Sequence, residues 1–173
     1  MNRKMRLNAD CSGRDEAALA LDCALRALAR RDHSIAELER KLRARKISGT
    51  VADAVITRLV QSGYLDDRRF AERWAESAVR NGRGYGVRLR QELARRGVSR
   101  EIIEEVLTGI AETHAEDDTL AALAERRFAG FVPGAASDRD KQRVVAYLQR
   151  RGFSLSAIFR YFRAADDNGI FYD

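Results

Sequence analysis

From Ala17 onward the apolar residues of this chain recur every third or fourth position, in runs broken by glycine, serine and charged residues. That period places side chains on one face of a helix, whereas a half-buried strand would alternate every second position. Leu21, Leu25 and Leu28 define a first stripe, Leu38 and Leu42 a second, and Val51, Val55, Ile56 and Leu59 a third. Phe70, Trp74 and Ala78, then Leu89 and Leu93, then Ile102 and Val106, continue the pattern. Val144 with Leu148, and Ala157 with Tyr161, close it. The pattern predicts an all-α chain.

One joint between helices is written three times: "LRARKIS" from Leu42, "LARRGVS" from Leu93 and "LQRRGFS" from Leu148. In the second copy Gly97 can turn left-handed without a Cβ penalty, Val98 can fold back onto Leu93, and Ser99 offers a hydroxyl to cap the next helix. The first copy lies 51 residues earlier and the third 55 residues later, and the flanking apolar positions keep register. Self-similarity at this period marks a helical repeat array, in which each unit packs on its neighbours. Lys46 stands where the other copies have glycine, which predicts a looser or differently closed first turn.

Helix starts divide the chain further. Ser34 and Glu37 form a capping-box pair, and Ser137 with Asp140 forms another. Asp66 is an N-cap with Leu65 and Phe70 placed as a hydrophobic staple, and Asp66 and Asp67 carry charges favourable at a helix N-terminus. The expected organisation is a flexible basic arm at 1–15, three-helix repeats at 16–63, 64–112 and 113–165, and an acidic tail at 166–173.

Composition narrows the class. The chain has 173 residues, 45% hydrophobic and 34% charged, with a single proline, as befits a folded helical protein. No apolar run approaches the roughly 18 residues that span a bilayer, and no signal-peptide core is present, so a cytoplasmic location is expected. Cys11, Cys23, His33 and His114 lack ligand spacing, which predicts neither a disulfide framework nor a metal site, and Cys23 reads as a small core residue. A net charge of +6 and a pI near 9.7 favour an anionic partner.

Candidate contact residues follow from comparing the repeats. Arg45, Arg96 and Arg151 occupy equivalent places in the joints and read as helix-end residues that bond terminal carbonyls. Arg88 and Arg95 lie seven residues apart on the outward side of one middle helix, and Arg143 and Arg150 are their equivalents in the next repeat, while the first repeat holds Glu37 and Ala44 there. With Arg83, Arg90, Arg139 and Lys141 nearby they predict a basic stripe that tracks an anion. Tyr85 either contacts a partner or covers its turn. The pairs Asp66/Asp67 and Asp117/Asp118 point about 100° apart on a helix and sit where caps belong, so they read as caps rather than chelates or catalysts. "GRGYG" lacks the lysine and hydroxyl of a phosphate loop.

The stretch from Tyr64-Leu65-Asp66-Asp67 through Phe70, followed by Gly84-Tyr85-Gly86 and the Arg-Arg-Gly joint, resembles the RecX family of bacterial recombination regulators, over about residues 18–163. The resemblance implies three tandem three-helix repeats in an elongated, curved array that lodges in the groove of the RecA–DNA filament. It also implies inhibition of RecA's ATP hydrolysis, strand exchange and stimulated repressor cleavage, with DNA bound directly by some members. On that reading Arg83, Tyr85, Arg88, Arg90, Arg95, Arg139, Lys141, Arg143 and Arg150 face the partner. Tyr64, Leu65, Asp66, Asp67, Phe70, Trp74, Gly97 and Gly152 build the scaffold. Lys46 and the acidic pair Glu37 and Glu39 depart from the family pattern. The expected protein is a monomer without cofactor or catalytic activity. A helical DNA-binding repressor is the alternative, though no helix collects the Arg, Asn and Gln of a base-reading element; an enzyme would need a clustered nucleophile, base or metal set that the sequence does not offer.

Overall fold

The computed structural model describes the backbone of residues 3–169 and the side chains of residues 15–165. Among the described residues the regular elements are the helices α1 (Arg3–Leu28), α2 (Ile35–Ala44), α3 (Gly49–Gln61), α4 (Asp67–Arg80), α5 (Gly86–Arg95), α6 (Arg100–Thr113), α7 (Glu116–Arg127), α8 (Asp138–Arg150) and α9 (Leu155–Gly169), with a short 3-10 turn at Pro133–Ala135. Helix α1 begins upstream of the apolar periodicity, so residues 3–15 of the segment read as an arm run into it. No proline interrupts them, and polar helix residues cost only about 0.7 kcal/mol each. Met1 and Asn2 lie outside the described residues, as do 170–173 of the acidic tail.

The chain divides into two compact units, one running through Ala71 and including Arg95–Ser99, the other comprising Glu72–Ala94 and Arg100 onward. The core of the first unit corrects the stripe expected on α1. Ala20, Cys23, Ala24 and Ala27 face inward, whereas Leu25 is 40% exposed and Leu21 and Leu28 are only partly buried. Small side chains let helix axes approach, and Leu38, Leu42, Val55, Ile56 and Leu59 supply the bulk that fills the space.

The N-terminus of α2 is tied from several sides. Ser34 is fully buried; its Oγ accepts from Glu37 N at 3.1 Å and donates to the Arg96 carbonyl at 2.6 Å. Glu37 turns its carboxylate to the Arg31 and Arg96 guanidiniums. Burial works to raise the Glu37 pKa, but the two guanidiniums outweigh it and hold the carboxyl below the usual range. Asp66 caps α4 by accepting from Arg69 N at 3.0 Å, while the neighbouring Asp67 accepts from Ile35 N at 2.8 Å and so serves α2. Burial pushes the Asp67 carboxyl up, against the pull of that N–H.

The repeated joint now has a physical reason. Lys46, Gly97 and Gly152 all have positive φ, at 62°, 83° and 96°. A Cβ on Gly97 would lie 2.4 Å from Ala36 Cβ, and one on Gly152 would lie 2.2 Å from the Tyr85 carbonyl oxygen. The second joint therefore seats on the start of α2 and the third on the start of α5, where Tyr85 N donates to the Arg151 carbonyl at 2.8 Å. No such seat constrains the exposed Lys46, so only its backbone angle matters. A second tie recurs in the first and third repeats. Glu16 accepts from the Ser48 N–H and hydroxyl at 2.7 and 3.0 Å, and Glu116 from those of Ser154 at 2.7 and 3.1 Å. The Ser48 hydroxyl, expected to cap its own helix, is engaged by Glu16 instead.

Candidate interaction surface

In the second unit the start of α5 lies beside the end of α8, and a groove of about 480 Å³ opens between them. Arg88 and Gln91 of α5 line one side, and Gln149, Arg150 and Arg151 line the other. Helical spacing explains why these residues face out. Leu89 and Leu93 are fully buried, and Arg88, one position before the first of them, flanks that core stripe by about 100°. On α8 the buried pair is Val144 and Leu148, and Arg139, Arg143 and Arg150 fall within about 40° of one another on the far side.

The arginines of the groove are held differently. Arg88 pairs with Glu92 at 2.7 Å. Arg151 lies over the Tyr147 ring, 5.1 Å from its centroid, and donates to the Arg83 carbonyl at 3.1 Å, so its guanidinium is oriented before anything binds. Arg150 has neither an ion pair nor a side-chain hydrogen bond among the described residues, and the same holds for Arg139, Lys141 and Arg143. Among the described residues no acid lines the groove. Three guanidiniums and two carboxamides can together bind a phosphate or carboxylate through charge-assisted hydrogen bonds.

The other candidates are placed as follows. Tyr85 covers its turn: it is 6% exposed, stacks on Phe153 with centroids 5.4 Å apart, and donates its hydroxyl to the His114 carbonyl at 2.7 Å. Arg83 is exposed and donates to Ser77 Oγ at 2.9 Å. Arg90 lies on another side of α5 and makes a two-pronged pair with Glu104 of α6, both contacts 2.8 Å. Lys141 is half-buried on the core side of α8, away from the arginine stripe. Arg95 belongs to the first unit and is exposed. Of the scaffold set, Leu65 and Phe70 are buried, Trp74 is half-buried, and Tyr64 is 61% exposed. Arg96 reaches Glu37, and Arg151 reaches the Arg83 carbonyl. Sequence reasoning missed Arg151 as a groove residue, although Tyr147 one turn before it is the i, i+4 aromatic that a stacked arginine needs.

Among the described residues no group of three or more His, Cys, Asp or Glu side chains could hold a metal, and no helix is long and apolar enough to cross a membrane. The fold and its surface define an all-α repeat protein that presents basic surface. Family models for the first, second and third three-helix domains of RecX match residues 20–59, 66–107 and 115–162. A regulatory protein RecX of Trichlorobacter lovleyi is 44% identical over 147 residues, covering 82% of this chain and 94% of the relative. One of Thermus thermophilus is 40% identical over 154 residues, covering 88% and 96%. The crystal structure of RecX from Lactobacillus salivarius has the same fold, with a TM-score of 0.72 at 21% identity over 88% of this chain and 97% of that one. The chain belongs to the RecX family of regulatory proteins.

Proposed function

We propose that the protein binds the RecA–DNA filament in its groove and inhibits the recombinase, suppressing ATP hydrolysis, strand exchange and stimulated repressor cleavage. The observation that carries this reading is the meeting of Arg88, Arg150 and Arg151 around one groove, continued along α8 by Arg143 and Arg139. Folding gives no reason to gather three guanidiniums there with a single carboxylate, Glu92 on Arg88, to answer them, since the cations repel one another. A filament that carries DNA phosphates supplies the missing counter-charge, and release of condensed counterions would make association strongly salt-dependent.

The test is ATP hydrolysis by preassembled RecA filaments on single-stranded DNA, titrated with this protein at 50 and 200 mM salt. If three arginines each neutralise one phosphate, affinity falls about twentyfold across that range, from a slope of about −0.7 per phosphate. Arg143→Glu with Arg150→Glu should weaken inhibition at low salt and flatten the slope. Absence of inhibition at any ratio, with binding confined to one defined duplex, would overturn the reading in favour of a DNA-binding repressor.

A further inference from the structure

The third repeat replaces an ion pair of the second with bare apolar surface. Counting from the joints, Arg90 and Glu104 correspond to Val145 and Phe159, and Arg100 corresponds to Leu155. In the first repeat the last-helix positions hold Gly49 and Asp53. Where Glu104 receives both arms of Arg90, Phe159 stands 51% exposed, and Leu155, one turn earlier on α9, is 46% exposed. The half-buried Phe162 lies beside them on the same side of the helix. Half of a phenyl ring left in water does nothing for folding, and the equivalent positions show that the repeat tolerates charge there.

The charge around this face says what fits it. Arg163 is the next residue of the stripe, with its Nε 3.4 Å from the Phe159 carbonyl oxygen, and Arg160 borders it. Among the described residues the acid that reaches this border, Asp117, is taken by Arg160 through contacts of 2.9 and 2.7 Å. A second copy of the chain would bring the same arginines and a net charge of +6, so it is disfavoured as an occupant. A phosphate backbone gains nothing from leucine and phenylalanine. We infer that the α9 face carrying Leu155 and Phe159 docks a protein segment that presents one or two apolar side chains with carboxylates about a turn away. Resting on the function proposed above, the inference assigns that segment to the recombinase subunit, so that the protein part of the filament meets α9 and its phosphates meet the arginines.

The experiment measures filament affinity and ATPase inhibition for the wild type, Phe159→Glu, Phe159→Leu and Arg150→Glu at 50 and 200 mM salt, with unfolding midpoints confirming intact folds. Phe159→Glu should cost at least tenfold at both salts, because an anchor is lost and its replacement repels carboxylates, whereas Phe159→Leu stays within about threefold. The loss from Arg150→Glu should shrink at high salt. A folded Phe159→Glu within twofold of a wild type that does inhibit would overturn the α9 assignment alone. A wild type without effect on the filament would sink the functional reading and this inference with it. Self-association of the wild type that Phe159→Glu abolishes would give the face to a second copy. Weakened binding of Phe159→Leu, which changes no charge, to free single-stranded DNA would make Phe159 a base-stacking residue, and either result overturns the inference.

Discussion

Gly152 offers the sharpest stability test of how the joints work, because its cost separates into two parts that other positions isolate. At a φ of 96° any L side chain is strained by about 1–2 kcal/mol. A Cβ there also meets the Tyr85 carbonyl oxygen at 2.2 Å and the Arg88 N and Cβ at 2.7 Å, all fixed parts of α5's first turn rather than flexible tips. Displacing them is overpacking, worth about 1–3 kcal/mol, and threatens the 2.8 Å bond from Tyr85 N to the Arg151 carbonyl. Gly152→Ala should therefore destabilise by about 2–5 kcal/mol. Gly63 is the control: its φ is 71°, yet a Cβ there meets nothing within 4 Å, so Gly63→Ala should cost only about 1–2 kcal/mol. Lys46→Gly relieves strain at φ 62° but loosens the unfolded chain, and should fall between neutral and about 1 kcal/mol stabilising. Urea unfolding followed by circular dichroism measures all three. Equal losses for Gly152→Ala and Gly63→Ala would show that the seat on α5 contributes nothing and that only the backbone angle keeps glycine in the joint.

Two further expectations concern the buried polar cluster around α2. Asp67→Asn keeps an acceptor for Ile35 N without burying a charge, so it should match or exceed wild-type stability, whereas Asp67→Ala leaves that N–H unpaired and should cost about 1–3 kcal/mol in the same assay. Acid should destabilise the first unit in two stages. Burial, reinforced by Arg31, lowers the His33 pKa below its ordinary 6.5, so the unfolded chain takes up a proton that the folded one refuses, and stability falls as pH drops below 6.5. The Glu37 carboxyl is held below its ordinary 4.5, so its contribution is complete above 4.5 and is lost as pH falls through the folded value. Urea midpoints between pH 7 and 5.5 that do not move, or that move equally in His33→Leu, would refute the first stage.

The helices were legible because repeated apolar periodicity overdetermines them, and the joints because left-handed residues and caps leave local signatures. Long-range ties were not. Glu16 and Glu116 look like ordinary helix acids, and nothing in the chain's local pattern says that each holds a serine 32 or 38 residues away. Asp67 beside Asp66 reads as a second cap on the same helix, yet its partner is Ile35. On α1 the largest apolar residues misled the reading, since close helix packing selected the alanines next to them. The basic surface was partly legible: matched arginines in two repeats predicted a stripe of Arg88, Arg95, Arg143 and Arg150, of which folding brings Arg88 and Arg150 to one groove while Arg95 belongs to the first unit. That Arg90 is neutralised by Glu104, or that Tyr85 is buried, depends on contacts with other helices that periodicity cannot report.

At the leucine and left-handed positions of the joints the repeats serve the fold; at the outward positions of Arg150 and Phe159 they diverge, and folding does not dictate the choice. Leucine before each joint and a left-handed residue within it recur because every copy must turn the chain in the same way. The position of Phe159 is aspartate, glutamate and phenylalanine in turn, and the position of Arg150 is arginine in the second repeat and alanine in the first. The same backbone accepts all of these, so its stability cannot be what selects a free guanidinium or an exposed ring. Both kinds of exception concentrate in the second and third repeats. A chain that folds by repetition can reserve its outward positions for a partner without disturbing the joints, and the divergent positions are therefore the ones to mutate when binding rather than folding is in question.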